Sequence, residues 1–130
     1  MDWDSKLKEL KELTVESYRT NGFGVSSLKS SFIENGVYDL SLGISLFSDY
    51  LADLSFGVRF LKRNVSIYNL EVNDSVRRKG HGRKIVSSLE DVFREFNFSQ
   101  VSLVAKDRNS QKFWNSLGYV PVSSSMIKFL

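Results

Sequence analysis

The sequence predicts a mixed α/β (α+β) fold, a mostly antiparallel sheet flanked by helices, on three observations. Apolar residues alternate with small or polar ones from Tyr38 to Phe60, the two-residue period of half-buried strands. A strand-like run at 65–72 leads into the basic, glycine-bearing stretch VNDSVRRKGHGRKI (72–85), behind which the period lengthens to that of a helix. One proline and no low-complexity tract, repeat or linker leave the 130 residues as one domain (1–130), large enough to bury roughly two thirds of its unfolded surface.

The elements follow in order. Trp3, Leu7, Leu10, Leu13 and Thr14 recur at helical spacing over 3–18, with lysine and glutamate between them and Asn21-Gly22 as a stop. Leu28 and Phe32, four apart in SSLKSSFIENG, suggest a second short helix before Asn35-Gly36. Leu40, Leu42, Ile44 and Leu46 mark a strand at 38–46; Leu54, Phe56, Val58 and Phe60 mark its antiparallel partner after a turn at Ser48-Asp49. VSIYNLEV (65–72) is a third strand, with Tyr68, Leu70 and Val72 on one face. Beyond Gly82, the spacing of Ile85, Leu89, Val92, Phe93 and Phe96 predicts a helix packed on the sheet. QVSLVA (100–105) is a strand, Asn109 to Leu117 a short helix closed by Gly118 in the left-handed conformation, and 119–122 and 126–130 short strands.

Charge is concentrated. Between Arg59 and Lys84 eight bases face two acids, so this window carries +6 of a net +3 and the rest of the chain −3. An anionic partner is the reading to test. The absence of cysteine excludes disulfides, thiolate zinc sites and a cysteine nucleophile, makes a metal site unexpected and fits a reducing compartment. The N-terminal MDWDSKLKELKEL lacks a signal-peptide core, and no apolar run approaches the roughly 20 residues of a membrane span. A cytoplasmic protein without a membrane partner is expected.

A strand entering a glycine turn that opens a helix aims free backbone N–H groups and the positive end of a helix dipole at one point, which suits a phosphate. Gly80 and Gly82 would let the backbone approach it, and Arg77, Arg78, Lys79 and Arg83 add full charges. The phosphate-loop pattern G-x-x-x-x-G-K-[ST] is absent, and the dinucleotide pattern G-x-G-x-x-G fails because Ile85 takes the third glycine position. What remains is R-x-x-G-x-G at Arg77, Gly80 and Gly82 after a strand, followed downstream by Asn109, Phe113-Trp114 and Leu117-Gly118-Tyr119. In this order and spacing the two motifs, within residues 65–130, resemble the coenzyme A loop and the fourth-helix ending of the GNAT-type, acetyl-CoA dependent N-acetyltransferases.

The resemblance implies a GNAT-like splayed sheet whose fourth and fifth strands part to admit the donor's pantetheine arm. It implies that main-chain amides from Val76 to Arg83 hold the pyrophosphate of acetyl-CoA, the expected cosubstrate, with Arg77, Arg78, Lys79 and Arg83 available to its oxygens, while the main chain of Val72 pairs with the pantetheine. Asn109 either contacts the arm or caps its own helix. His81, the only histidine, stands where the family uses backbone rather than side chain; a solvent-facing or structural imidazole is favoured over a catalytic one. Trp114 occupies a position where the family often has a tyrosine that protonates the departing thiolate, and indole has no proton to give. Glu71, at the end of the strand beside the thioester, either acts as base through a water or pairs with neighbouring arginines; the family position that sometimes carries glutamate on the next strand is Val104. A lysine-type amine needs that help more than an α-amine, since the cost of neutralising it at pH 7 is about 4.6 against about 1.4 kcal/mol.

Two further expectations concern the ends of the fold. Family members usually begin with a strand, and none reads as such before Tyr38, so a shortened N-terminal region is expected, with the 38–46 strand at an edge where a homodimer partner could cover it. The expected activity is direct acetyl transfer to a primary amine of a small molecule or a protein; residues 20–36 and 46–52, expected to bind the acceptor, carry no motif, although Asp49 and Asp53 could attract a cationic one. The rival is a GNAT-like binding module that has lost catalysis and turns its basic face to nucleic acid or a protein; Trp114 and the missing base favour it, the intact glycine loop speaks against it, and nucleic acid is not the expected partner.

Overall fold

The computed structural model describes residues 2–73 and 80–130. Asp2 opens helix α1 (Trp3–Thr20), its carboxylate accepting from the Ser5 N–H at 3.1 Å and the Ser5 hydroxyl at 2.6 Å, an N-cap. Strands β1 (Gly24–Glu34), β2 (Val37–Leu46), β3 (Asp49–Arg59) and β4 (Asn64–Val72) follow, then α2 (His81–Glu95), β5 (Gln100–Leu103), α3 (Arg108–Ser116), β6 (Val120–Val122) and β7 (Ser125–Phe129). They form one seven-stranded sheet in the order β1-β2-β3-β4-β5-β7-β6, antiparallel except for the parallel pair β4 and β5 across α2.

The expected helix at 26–36 is instead β1, paired along β2 from Gly24↔Ser45 to Glu34↔Val37. Its period of two is hidden because the register shifts twice, between Ser26 and Lys29 and between Phe32 and Glu34, with Ser27 in the left-handed region. A bulge moves the following side chains to the other face, and here this leaves Leu28 and Phe32 at a spacing that imitates a helix. β1 also corrects the expectation of no strand before Tyr38: β2 lies inside the sheet, and the edge invoked for a dimer is already covered. The β2–β3 turn is at Phe47-Ser48, not Ser48-Asp49; both residues have positive φ (52° and 69°) and the Phe47 ring is 89% exposed.

Leu40, Leu42 and Ile44 of β2, Leu54, Phe56 and Val58 of β3, and Val65 and Ile67 of β4 are buried on the sheet face that receives the helices. Phe56 meets Phe93 of α2 edge-on at 5.5 Å, Trp3 of α1 stacks on Phe60, and the Tyr18 hydroxyl donates to the Ile85 carbonyl at 2.9 Å. Each such side chain contributes roughly 1.5–3 kcal/mol by leaving water. The other face carries Asp39, Ser41, Asp53, Ser55, Tyr68 and Glu71.

β4 departs from the simple alternation expected for 65–72. Ser55 pairs with Asn69 but Phe56 with Ile67, so Tyr68 is an extra residue. The bulge lets Val65, Ile67, Leu70 and Val72 share the helix-covered side, whereas Tyr68 turns outward, 57% exposed, its hydroxyl donating to Asp39 Oδ1 at 2.9 Å. The strand expected at 100–105 pairs only through Leu103.

Candidate active site

The β4–β5 ladder ends at Ile67↔Leu103, while β4 continues to Val72. The strands therefore part, and a cleft of about 740 Å³ opens between the end of β4, the first turn of α2, and the segment from Lys106 through α3. Of the residues singled out from the sequence, Glu71, Val72, Gly80, His81, Gly82, Arg83, Asn109 and Trp114 all line it. Val76, Arg77, Arg78 and Lys79 lie outside the described residues.

The first turn of α2 is left open toward this space. Gly80 is its N-cap in the left-handed conformation (φ 79°), and among the described residues no side chain caps the helix; the first turn closes with Lys84 N–H on the Gly80 carbonyl at 3.2 Å. The amides of His81, Gly82 and Arg83 therefore have no helical acceptor, and the helix dipole adds positive potential. The two glycines do different work. A Cβ at Gly80 would meet nothing within 4 Å, so that position is glycine for its φ. A Cβ at Gly82 would lie 3.1 Å from Phe113 Cζ, so that position is glycine because α3 packs against it.

α3 forms the opposite wall. Asp107 caps it, accepting from Ser110 N–H at 2.8 Å, so the capping alternative raised for Asn109 belongs to Asp107, and Asn109 is an exposed residue of the first turn facing the cleft. Trp114 is 5% exposed and held edge-on between Phe113 and Tyr119, with ring centroids 5.1 Å away on each side. Behind them Glu90 of α2 is buried and accepts from the Tyr119 hydroxyl at 2.8 Å and from Lys128 Nζ at 2.9 Å; Lys128 also donates to the Leu117 carbonyl, tying α2, the end of α3 and β7 together. Burial, with the Glu90 charge second, pushes the Tyr119 hydroxyl far above its ordinary range, so it stays a proton donor to Glu90.

Glu71 is exposed on the open sheet face, opposite Asp53 of β3, whose carboxylate accepts from the Tyr50 hydroxyl at 2.9 Å. That hydrogen bond is the main cause of an upward shift at Tyr50; at Tyr68 burial comes first and the bond to Asp39 second. Val104, the alternative base position, is 68% exposed and apolar. Among the described residues no group of three or more His, Cys, Asp or Glu could hold a metal, and no helix is long and apolar enough to cross a membrane. The sequence reading missed Lys106, Asp107, Ser110 and Phe113 as cleft residues. The pattern Asp107-x-x-Ser110 ahead of a helix was the available signal for the cap.

Residues 49–119 match the model of the acetyltransferase (GNAT) family. The chain belongs to this family. Among solved structures, the acetyltransferase fold is similar to Ard1 from Thermoplasma volcanium (TM-score 0.60, 18% identity, 69% of this chain and 70% of that one). It is also similar to Tetrahymena GCN5 (TM-score 0.60, 12% identity, 74% and 69%) and to the PaiA N-acetyltransferase from Thermoplasma acidophilum in complex with coenzyme A (TM-score 0.57, 14% identity, 68% and 58%). No curated protein sequence matches it significantly. Family membership makes the chain an acetyl-CoA dependent acetyltransferase. The parted strands leave room for an extended chain, and among the described residues the start of α2 has no side-chain cap and is open to an anion.

Proposed function

We propose that the chain, acting as one domain in a reducing, cytoplasmic compartment, transfers an acetyl group from acetyl-CoA directly to a primary amine of a small molecule or a protein. The observation that carries the reading is the open first turn of α2 at one end of the gap between β4 and β5. The diphosphate would sit on the amides of residues 76–83, with Arg77, Arg78, Lys79 and Arg83 supplying charge, and the arm would run along Val72 past Asn109 and Trp114. His81 contributes its amide. Transfer is direct, the amine itself attacking the thioester, and the chain has no cysteine to take the acyl group first. Glu71, carboxylate toward solvent at the cleft, accepts the amine's proton through water. Asp53 beside it favours a cationic acceptor.

Calorimetry with acetyl-CoA, followed by an amine panel scored by thiol release, tests the reading. The panel holds peptides with free N-termini, lysine peptides, polyamines and aminoglycosides. Donor binding with thiol release on at least one amine is expected. Donor binding without release on any amine would favour the rival, a catalytically weak module, which the indole at Trp114 supports; no donor binding but salt-sensitive affinity for nucleic acid would overturn the assignment of the cleft. Light scattering at high concentration tests a homodimer, for which β1, the exposed edge with Phe32 and Ile33, is the surface to examine.

A further inference from the structure

The narrow end of the cleft holds a cation that no motif marks. Two residues beyond the last β4–β5 pair, Asn69 accepts a hydrogen bond at 2.8 Å from Lys106 Nζ, which follows β5. The contact spans the two chains just where they separate, and Lys106 lines the cleft. An ammonium has three donors. Among the described residues Asn69 uses one and no carboxylate pairs with Lys106.

The donor reading above, on which this inference rests, fixes what would lie there. A diphosphate on the first turn of α2 sends its tail back along β4 from Val72 toward Asn69, so the thioester reaches the narrow end beside Lys106. Among the described residues the aromatic and basic candidates for proton donor are committed or misplaced. Trp114 has no acidic proton; the Tyr119 hydroxyl is bound to Glu90, that of Tyr50 to Asp53 and that of Tyr68 to Asp39. His81 and Arg83 stand at the phosphate end, Arg83 donating to Ser116 at 3.2 Å.

We propose that Lys106 stabilises the thiolate of coenzyme A as it departs. The acceptor nitrogen attacks the thioester carbon and forms the C–N bond; the C–S bond breaks and its electron pair stays on sulfur. The proton released by the nitrogen passes to water or Glu71, the thiolate pairs with the Lys106 ammonium, and a proton from solvent completes the thiol. Among the described residues, the titratable side chains around the cleft are Lys106 from the chain after β5, Glu71 on β4 with Asp53 across from it on β3, Asp107, whose carboxylate is engaged as the α3 cap, and, at the far end, His81 and Arg83 of α2. Lys106 outweighs the carboxylates because it is the one at the point where the strands part.

The test needs no acceptor. The ultraviolet absorbance of the thiolate is titrated in coenzyme A bound to the wild-type protein, to Lys106→Met, to Lys106→Arg and to Asn69→Leu. The bound thiol should ionise about one pH unit or more lower in the wild type than in Lys106→Met, with Lys106→Arg close to wild type and Asn69→Leu between. With an amine found by the panel, Lys106→Met should lower kcat roughly 10–100-fold and move KM for acetyl-CoA by less than about threefold. Equal thiol titrations in wild type and Lys106→Met, with coenzyme A bound to both, would overturn the role of Lys106 and leave the donor reading intact. A rise in KM with unchanged kcat would make Lys106 a donor-binding group instead. A wild-type protein that binds no coenzyme A would overturn both readings together.

Discussion

The two sides of the cleft are built from different materials. At the start of α2 the cleft offers main-chain hydrogens and the helix dipole, with Gly80 supplying the left-handed turn and Gly82 making room for Phe113. On the open sheet face beside it there are side chains alone: Glu71, which lines the cleft, stands next to Asp53 of β3, and Tyr50 and Tyr68 hold the carboxylates of Asp53 and Asp39 nearby. A backbone cradle recognises a diphosphate whatever is attached to it, whereas a face made of side chains is free to differ from one acceptor to the next. The difference implies that the two sides can be damaged separately.

The largest expected effect comes from Glu90→Ala. It leaves the Tyr119 hydroxyl and the Lys128 ammonium without their carboxylate; removal of one member of a buried pair can cost 3–5 kcal/mol, and since Lys128 keeps some exposure about 2–3 kcal/mol is expected in urea unfolding, with loosening confined to the α3 wall. Gly82→Leu comes next. Its side chain must displace the Phe113 ring, an overpacking of about 1–3 kcal/mol, read by calorimetry as roughly a 10–100-fold loss of acetyl-CoA affinity. Asp53→Lys should do the reverse, leaving donor affinity unchanged and raising KM for cationic amines about fivefold to tenfold; an equal loss at both substrates would erase the distinction between the two sides.

The smallest effect is one of pH. Tyr38 is pushed up to about 12, by burial first and then by its hydrogen bond to Asp4. A folded value above the unfolded one means that the protonated hydroxyl supports the fold in full below pH 10 and that this support is lost as pH rises toward 12. Urea midpoints followed through that window should fall, and Tyr38→Phe should flatten the fall. Tyr50 and Tyr68 are also shifted upward, so acetyl transfer should show no ionisation from either below about pH 10.

The same contrast explains which parts were legible in the sequence. The donor side uses contiguous residues whose types are dictated by backbone geometry, so a glycine turn, a helix period and a downstream aromatic pair revealed α2, α3 and most of the cleft lining. The N-terminal half was read less well. β1 carries two register shifts that erase its alternation, and the Tyr68 bulge moved Val65 and Ile67 onto the same side as Leu70 and Val72, which no fixed period anticipates. Asp53 and Glu71 are 18 positions apart in sequence and become neighbours only through the β3–β4 register. Lys106 escaped notice because its meaning depends on where a ladder stops, a property of two strands and not of either one.

The contact between Gly82 and Phe113 makes the second glycine of the loop one half of a matched pair across two helices. Shortening the ring, as in Phe113→Leu, should let alanine occupy position 82 at little penalty, whereas either change alone leaves a collision or a void. The first turn of α2, where the proposed diphosphate would rest, is thus fitted to the far wall through a single aromatic side chain.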